Sequence, residues 1–351
     1  MALLRYSGPD QVAEDGFIKD QVSEFLGEQP PEGWVKIADN NAVMVEDKKM
    51  NTSFVKPKLV NSAKSLICAP RSSYDSGSVS FVEFADSMSV PTGLPSHIFG
   101  FAIEVINDDP DRADFLTFGS NDPSTAGAMK EVYELNFDYD QYSYVSTRKA
   151  DAPVDMNINT SVARVSTDKF LVSTHQLQEV LGSLHIYDRA LNSWSPSAVS
   201  IADRHSFHVV KLFSSGRVLL MFPKDAQTEL RTGEIYEYDA VNDSATLIDT
   251  LPAEYIDAAG DNSRVTQITP VSTHDDIILT ASGTALYAYN VAEKKWSKSP
   301  DFNQSSNIEA IYAHPDFVRF NQTFTGGYSD VGELKTGYKP LLPGFNIAYK
   351  E

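Results

Sequence analysis

Apolar and polar residues alternate in short runs along most of the chain, the period-2 signature of strands with two distinct faces. Five runs read alike: VSFVEFAD (79–86), EVYELN (131–136), SLHIYD (183–188), EIYEYD (234–239) and ALYAYN (285–290). Each ends at an Asp or Asn, whose side chain can bond its own backbone two or three residues on and open a turn. A fainter sixth run is WVKIAD (34–39). Taking the terminal Asp or Asn as a marker gives Asp39, Asp86, Asn136, Asp188, Asp239 and Asn290, with steps of 47, 50, 52, 51 and 51. A period this steady is the mark of a repeat architecture.

Six positions past the marker stand Tyr142, Trp194 and Trp296, with Ala245 and Thr92 in the equivalent places. Upstream of the markers lie alternating hairpins with polar turns: SVARVSTDKFLVST, FHVVKLFSSGRVLLMF, VTQITPVSTHDDIILTAS, FAIEVINDDPDRADFLTFGS and NTSFVKPKLVNSAKSLICAP. Ser215-Gly216 and the Asp108–Asp111 cluster supply the residues that tight β connections need. The unit is four short antiparallel strands repeated about every 50 residues, which predicts the blades of a β-propeller.

Six markers predict an all-β, six-bladed propeller over residues 33–321, with seven blades as the runner-up if the tail past Phe320 forms strands. The first marker leaves only two outer strands (33–47) at the N-terminus, and NIEAIYAHPDFVRF (307–320) supplies two inner ones. The expected closure is therefore two plus two, with N- and C-terminal strands sharing one blade and leaving no open edge. Residues 1–32 read as an N-terminal arm: Val12, Phe17, Val22, Phe25 and Leu26 suit a helix that Pro30-Pro31 stop. Residues 322–351, rich in Gly, Tyr and Pro, read as an extended C-terminal arm.

The Tyr-Asp ending followed by Trp six residues on, at a period near 50, resembles the kelch repeat across residues 33–321. The chain lacks the paired glycines that end the second kelch strand; the equivalent places read LVSTH, LLMFP, ILTAS and LTFGS. The resemblance implies propeller geometry and a protein-binding role. It also brings a copper oxidase precedent that needs a cysteine cross-linked to tyrosine, but the single cysteine, Cys68, lies in the apolar run SLICAP and reads as a small buried hydrophobe.

Composition narrows the functions. Acidic residues outnumber basic ones 48 to 29, a net charge of -19, which disfavours nucleic acid and anionic membrane as partners. No apolar run is long enough for a signal peptide or a membrane span, so the expectation is a protein made in the cytoplasm and not inserted in a membrane. The sequons at Asn51, Asn159, Asn242, Asn303 and Asn321 then read as products of Asn/Ser/Thr-rich turns. Asp203, His205 and His208 form the best metal-like cluster, yet i and i+3 face opposite sides of a strand. The acidic stretch 107–114 lacks the Gly and terminal Glu of an EF-hand and reads as a solvated turn. No nucleophile elbow, P-loop or dinucleotide fingerprint occurs, so no enzyme activity and no cofactor is expected.

Binding by a propeller concentrates on loops joining the second and third strands and loops joining blades. These are 71–77, 120–129, 174–183 and 223–233, with 89–96, 147–157, 201–205 and 253–263 on the same rim. Tyr and Arg are the usual interface anchors, which singles out Tyr74, Arg148, Arg204, Arg231 and Tyr255. The expected function is a structural or docking propeller in a larger assembly, contacting protein partners through rim loops and terminal arms. The architecture looks similar to the propeller proteins of bacteriophage virions, in tail or head, which leave the cell by lysis. The alternatives are a kelch-like protein-interaction adaptor and a glycan-binding or sugar-modifying propeller.

Overall fold

The computed structural model describes residues 34–36, 44–45, 54–60, 65–70, 78–83, 87–91, 93–108, 112–138, 141, 143–157, 159–174, 182–251, 270–272, 276–282, 285–298, 306–313, 318–324, 332–335 and 338–340. The N-terminal arm 1–32 and the acidic turn at 109–111 lie outside the described residues. The chain divides into two units, Ser53–Lys211 with Arg217–Thr250, and Met1–Thr52 with Leu212–Gly216 and Leu251–Glu351.

The first unit holds four antiparallel sheets, each a four-stranded meander. Sheet I comprises Phe54–Val60, Ser65–Pro70, Ser78–Glu83 and Ser87–Pro91. Sheet II comprises Ala102–Asp108, Arg112–Phe118, Val132–Asp138 and Ser143–Arg148. Sheet III comprises Ser161–Arg164, Lys169–Ser173, Leu184–Asp188 and Ser193–Pro196. Sheet IV comprises His208–Lys211, Val218–Met221, Glu234–Asp239 and Ser244–Thr250. The first strands of successive sheets lie side by side, I against II, II against III and III against IV, which is the propeller-like arrangement of blades around an axis. One 3-10 turn, Ala128–Lys130, is the only helical element among the described residues.

The second unit holds sheet V, made of Val271–Ser272, Ile277–Ser282, Ala285–Asn290 and Lys295–Lys298. Sheet VI orders Ser306–Ala313, Val318–Phe324, Gly332–Lys335 and, outermost, Met44–Val45. N- and C-terminal strands therefore do share one sheet, but three plus one rather than two plus two. The third strand comes from the C-terminal tail, and the run 34–39 is no third strand: Trp34–Lys36 pairs with Tyr338–Pro340 in a separate two-stranded sheet.

In sheets I to V the marker run is the third strand, and the turn after it has one length. The closing pairs are Val82↔Ser87, Asp138↔Ser143, Asp188↔Ser193, Asp239↔Ser244 and Asn290↔Lys295. The structural markers are thus Val82 and Asp138 in the first two copies, not Asp86 and Asn136. Asn136 sits inside its strand, where its amide donates to Asp114 Oδ1 across the sheet at 2.7 Å. The four true Asp/Asn markers cap their turns: Oδ1 of Asp138 accepts the N–H of Gln141, that of Asp188 the N–H of Leu191, that of Asp239 the N–H of Val241, and that of Asn290 those of Ala292 and Glu293, at 2.8 to 3.0 Å. The last turn residue is left-handed at Asn192 (φ 49°), Asp243 (φ 45°) and Lys294 (φ 53°), a conformation that Asn and Asp tolerate better than most residues.

Alternation along each strand feeds apolar layers on both sides of a sheet. Phe170, Val172 and Tyr187 of sheet III pack with Ala102, Leu116, Phe118 and Val132 of sheet II. The interleaved Ala163, Leu171 and Leu184 pack with Val209, Val218, Leu220 and Tyr238 of sheet IV. The aromatic pair of the repeat is the directly opposed pair of the outer hairpin: Tyr187 faces Trp194 with ring centroids 5.0 Å apart, and Tyr289 stacks on Trp296 at 4.6 Å. In sheet II the pair is Phe137 with Tyr144, at 4.5 Å. Each such contact adds about 0.5–1.5 kcal/mol to the burial itself.

A second device ties neighbouring sheets. Asn192 Oδ1 accepts the Tyr187 hydroxyl at 2.9 Å and the Ala150 N–H, just past the outer strand of sheet II, at 2.8 Å. Trp194 Nε1 donates to the Ala150 carbonyl at 3.0 Å. One repeat later Asp243 accepts the Tyr238 hydroxyl at 2.8 Å, the Ser197 hydroxyl at 2.6 Å and the Ala198 N–H at 2.6 Å, just past the outer strand of sheet III. In sheets III and IV the left-handed turn residue is therefore the acceptor that latches the outer hairpin to the sheet before it.

Candidate functional site

In a meander, the connection from second to third strand leaves from the end where the chain also enters and exits the sheet. That end of sheets II and IV carries matching charged clusters, built on the marker strands. Residues i and i+2 point to one face of a strand, so Glu131 and Tyr133 meet, as do Glu234 and Tyr236. The Tyr133 hydroxyl donates to Glu131 Oε2 at 2.5 Å, and the Tyr236 hydroxyl to Glu234 Oε2 at 3.0 Å.

An arginine then closes each cluster. In sheet II, Arg148 Nη2 lies 3.5 Å from Glu131 Oε1 and bonds both oxygens of Asp151 at 3.0 and 3.1 Å, while His97 Nε2 lies 3.3 Å from Glu131 Oε1. In sheet IV, Arg204 holds Glu234 through two parallel bonds, Nε to Oε2 at 2.6 Å and Nη2 to Oε1 at 2.9 Å, and reaches Asp225 at 2.7 Å. Next to Tyr133 on the third strand of sheet II, Glu134, 6% exposed, is clamped by Lys149 at 2.7 Å and Arg189 at 2.6 Å.

These pairings shift the titrations. Burial and then the Glu131 carboxylate push the Tyr133 phenol up; burial and then Glu234 push Tyr236 up to about 12. The bond from Arg204 holds the Glu234 carboxyl below the usual range. Burial alone would raise Glu134, but the Arg189 and Lys149 bonds outweigh it and leave the carboxyl lowered. Both tyrosines stay neutral donors and these two carboxylates stay anionic across the physiological range.

Of the five sequence-derived rim residues, Arg148 stands at the expected rim, with its side chain 51% exposed and oriented by Asp151. Arg204 is at the same end of sheet IV, but its side chain is 21% exposed and its guanidinium is engaged by Glu234 and Asp225. Arg231 is a correction. It is buried, donating through Nη1 to the carbonyls of Ser206 at 2.8 Å and Phe222 at 2.6 Å, and burial draws its guanidinium down to about 9. It braces the loop instead of presenting itself. Tyr74 and Tyr255 lie outside the described residues. The structure adds Glu131, Tyr133, Glu234, Tyr236 and His97 to the rim; their sequence signal is the Glu-x-Tyr opening shared by EVYELN and EIYEYD.

His205 and His208 are both buried, as strand residues on opposite sides of the turn at Ser206 (φ 55°). Among the described residues no group of three His, Cys, Asp or Glu side chains is placed to hold a metal ion, and no helix is long and apolar enough to cross a membrane. No protein-family model matches the chain, and no curated protein matches it. What the geometry defines is a propeller-like protein whose connection-loop rim presents arginines fixed by carboxylates.

Proposed function

We infer that this chain is a non-catalytic docking propeller that works inside a larger assembly, of the kind that builds bacteriophage tails or heads. The observation that carries the reading is the pair of arginine–carboxylate clusters at the same end of sheets II and IV. A half-exposed guanidinium held by Asp151 loses little side-chain freedom on binding, the property that makes an arginine an interface anchor. The sheets beneath it are stacked through buried aromatic layers and latched one to the next, so the rim is a rigid platform.

In this reading each of the six four-stranded sheets is one blade of the repeat, the number the sequence period predicts. Support comes from their consecutive order in the chain and from Met44–Val45 completing the sheet of the three C-terminal strands. The directly opposed Tyr–Trp pairs of the outer hairpins of sheets III and V favour a second reading, a kelch-like adaptor that binds one protein as a monomer.

Mass photometry of the full chain separates the two. The assembly reading expects species heavier than one 38.7 kDa chain at micromolar concentration, collapsing towards the monomer in Arg148→Glu. A monomer at every concentration, combined with absence of the chain from purified virions of its source by peptide mass spectrometry, overturns it and leaves the adaptor.

A further inference from the structure

The rim of sheet IV carries a histidine that the clusters above do not use. Arg204–His205 pairs as a short strand with Lys224–Asp225, tying the entry of sheet IV to the loop between its second and third strands. Asp225 folds that loop by accepting the N–H groups of Gln227 and Thr228 at 3.1 and 2.9 Å, and Glu229 N–H returns to the Asp225 carbonyl at 2.8 Å. Glu229 closes the turn in a left-handed conformation, φ 58°.

His205 is 4% exposed within this hairpin. Its Nδ1 lies 2.8 Å from the Ser206 hydroxyl, while Nε2 is buried with no hydrogen-bond partner. Glu229 Oε1 is 3.6 Å from Nε2, too far for a hydrogen bond, and its other oxygen is 3.8 Å from Lys224 Nζ. The charged groups acting on the ring are Glu229, which favours a proton, and Lys224 and Arg231, which oppose it. Arg204, the preceding residue, is already neutralised by Glu234 and Asp225.

A proton on this ring therefore enters a site where burial and two cations work against it. One carboxylate works for it, with its side chain 40% exposed and shared with Lys224. The balance is against charge. The geometry points to an acid-released clasp: the pairing of Arg204–His205 with Lys224–Asp225 closes over a neutral, buried His205 ring, and protonation of that imidazole loosens the hairpin of residues 224–231 from the rim. The clasp is independent of which partner the rim binds, and it makes that face of sheet IV different in an acidic compartment.

The direction follows from linkage. The folded-state value of His205 lies below its ordinary 6.5, with burial as the main cause. Stability is then complete above the unfolded value and is lost as pH falls below it, because the unfolded chain takes up the proton more readily. The test is amide hydrogen exchange on the full chain at about pH 7.5 and about pH 5, corrected for intrinsic rates. Amides of 224–231 should lose protection at the lower pH, because the opened hairpin binds the proton more tightly and is populated in proportion. Amides of sheet II should change far less, and His205→Gln should flatten the response of the hairpin. Equal protection at both pH values, or the same loss in His205→Gln, overturns the clasp. A direct imidazole titration of the wild-type chain covers the case where the variant does not fold: a His205 midpoint at or above 6.5 also overturns it.

Discussion

Asp243 offers the sharpest test of the latch between neighbouring sheets. Its carboxylate accepts three hydrogen bonds, from the Tyr238 and Ser197 hydroxyls and the Ala198 N–H, while its own backbone sits at φ 45°. Asp243→Ala removes all three acceptor contacts and places a Cβ without a polar tip in the left-handed region. Bonds to a charged acceptor contribute about 1.5–3 kcal/mol when buried. This site is only partly buried, so water recovers much of that, and about 2 kcal/mol in total is the reasonable figure. The left-handed conformation adds about 1 kcal/mol for alanine over aspartate, giving a loss near 3 kcal/mol. Two companions separate the contributions. Asp243→Asn keeps the conformation and a neutral acceptor and should lose about 1 kcal/mol; Asp243→Gly removes the bonds without backbone strain and should lose about 2. Urea unfolding followed by tryptophan fluorescence reads the order, because Trp194 lies in the outer strand that Asp243 ties down. Asp243→Ala within about 0.5 kcal/mol of wild type, or Asp243→Gly less stable than Asp243→Ala, would refute the latch.

Four further outcomes are expected. Gly182→Ala should cost more than about 2 kcal/mol in urea unfolding, because a Cβ there collides with the Thr174 carbonyl and the Ser206 hydroxyl. Glu134→Ala should cost about 3 kcal/mol by the same measurement, since it strands Lys149 and Arg189 around a buried position. Arg148→Ala should change stability by less than about 1 kcal/mol, its pairing with Asp151 being exposed, whereas Arg204→Ala should cost about 2, because it leaves Glu234 without its two-bond partner. Stability should also fall in acid: Glu134, Glu234, Glu237 and Asp243 all have lowered carboxyl values, so their contribution is present above the ordinary values of 3.8 to 4.5 and is lost progressively as pH falls below them towards the lowered folded values. Thermal melts at about pH 7 and about pH 3.5 check this; an equal melting temperature would contradict it.

Much of the fold was legible because each repeat carries its own local instructions. The Tyr-Asp ending marks a third strand that turns after four residues, and the opposed Tyr and Trp register its outer hairpin, so sheets III, IV and V fell where the period placed them. The first two copies slipped, since alternation alone does not distinguish Asn136 from Asp138 on the same face two residues on. Sheet VI was assigned the wrong share of strands because Gly332–Lys335 looks like tail, with no marker at its end. The rim was only half readable. Arg148 and Arg204 could be picked out as loop arginines, but Arg231 is the same residue type in an equally polar stretch, and only the carbonyls of Ser206 and Phe222 around it reveal that it is internal. The clamp of Glu134 by Arg189 joins residues 55 positions apart, a pairing that no local pattern announces.

A cross-link through sheet VI probes the arrangement most directly. Val45 lies opposite Glu333 and Met44 opposite Leu334, joining the two ends of the chain in one sheet. In a Cys68→Ser background, Val45→Cys with Glu333→Cys should oxidise to an intramolecular disulfide identified by peptide mass spectrometry, and the oxidised chain should resist urea better than the reduced one. Failure of this pair to cross-link under conditions that cross-link Asp188→Cys with Ser193→Cys, the closing pair of an outer hairpin, would contradict the sheet shared by the N- and C-terminal strands.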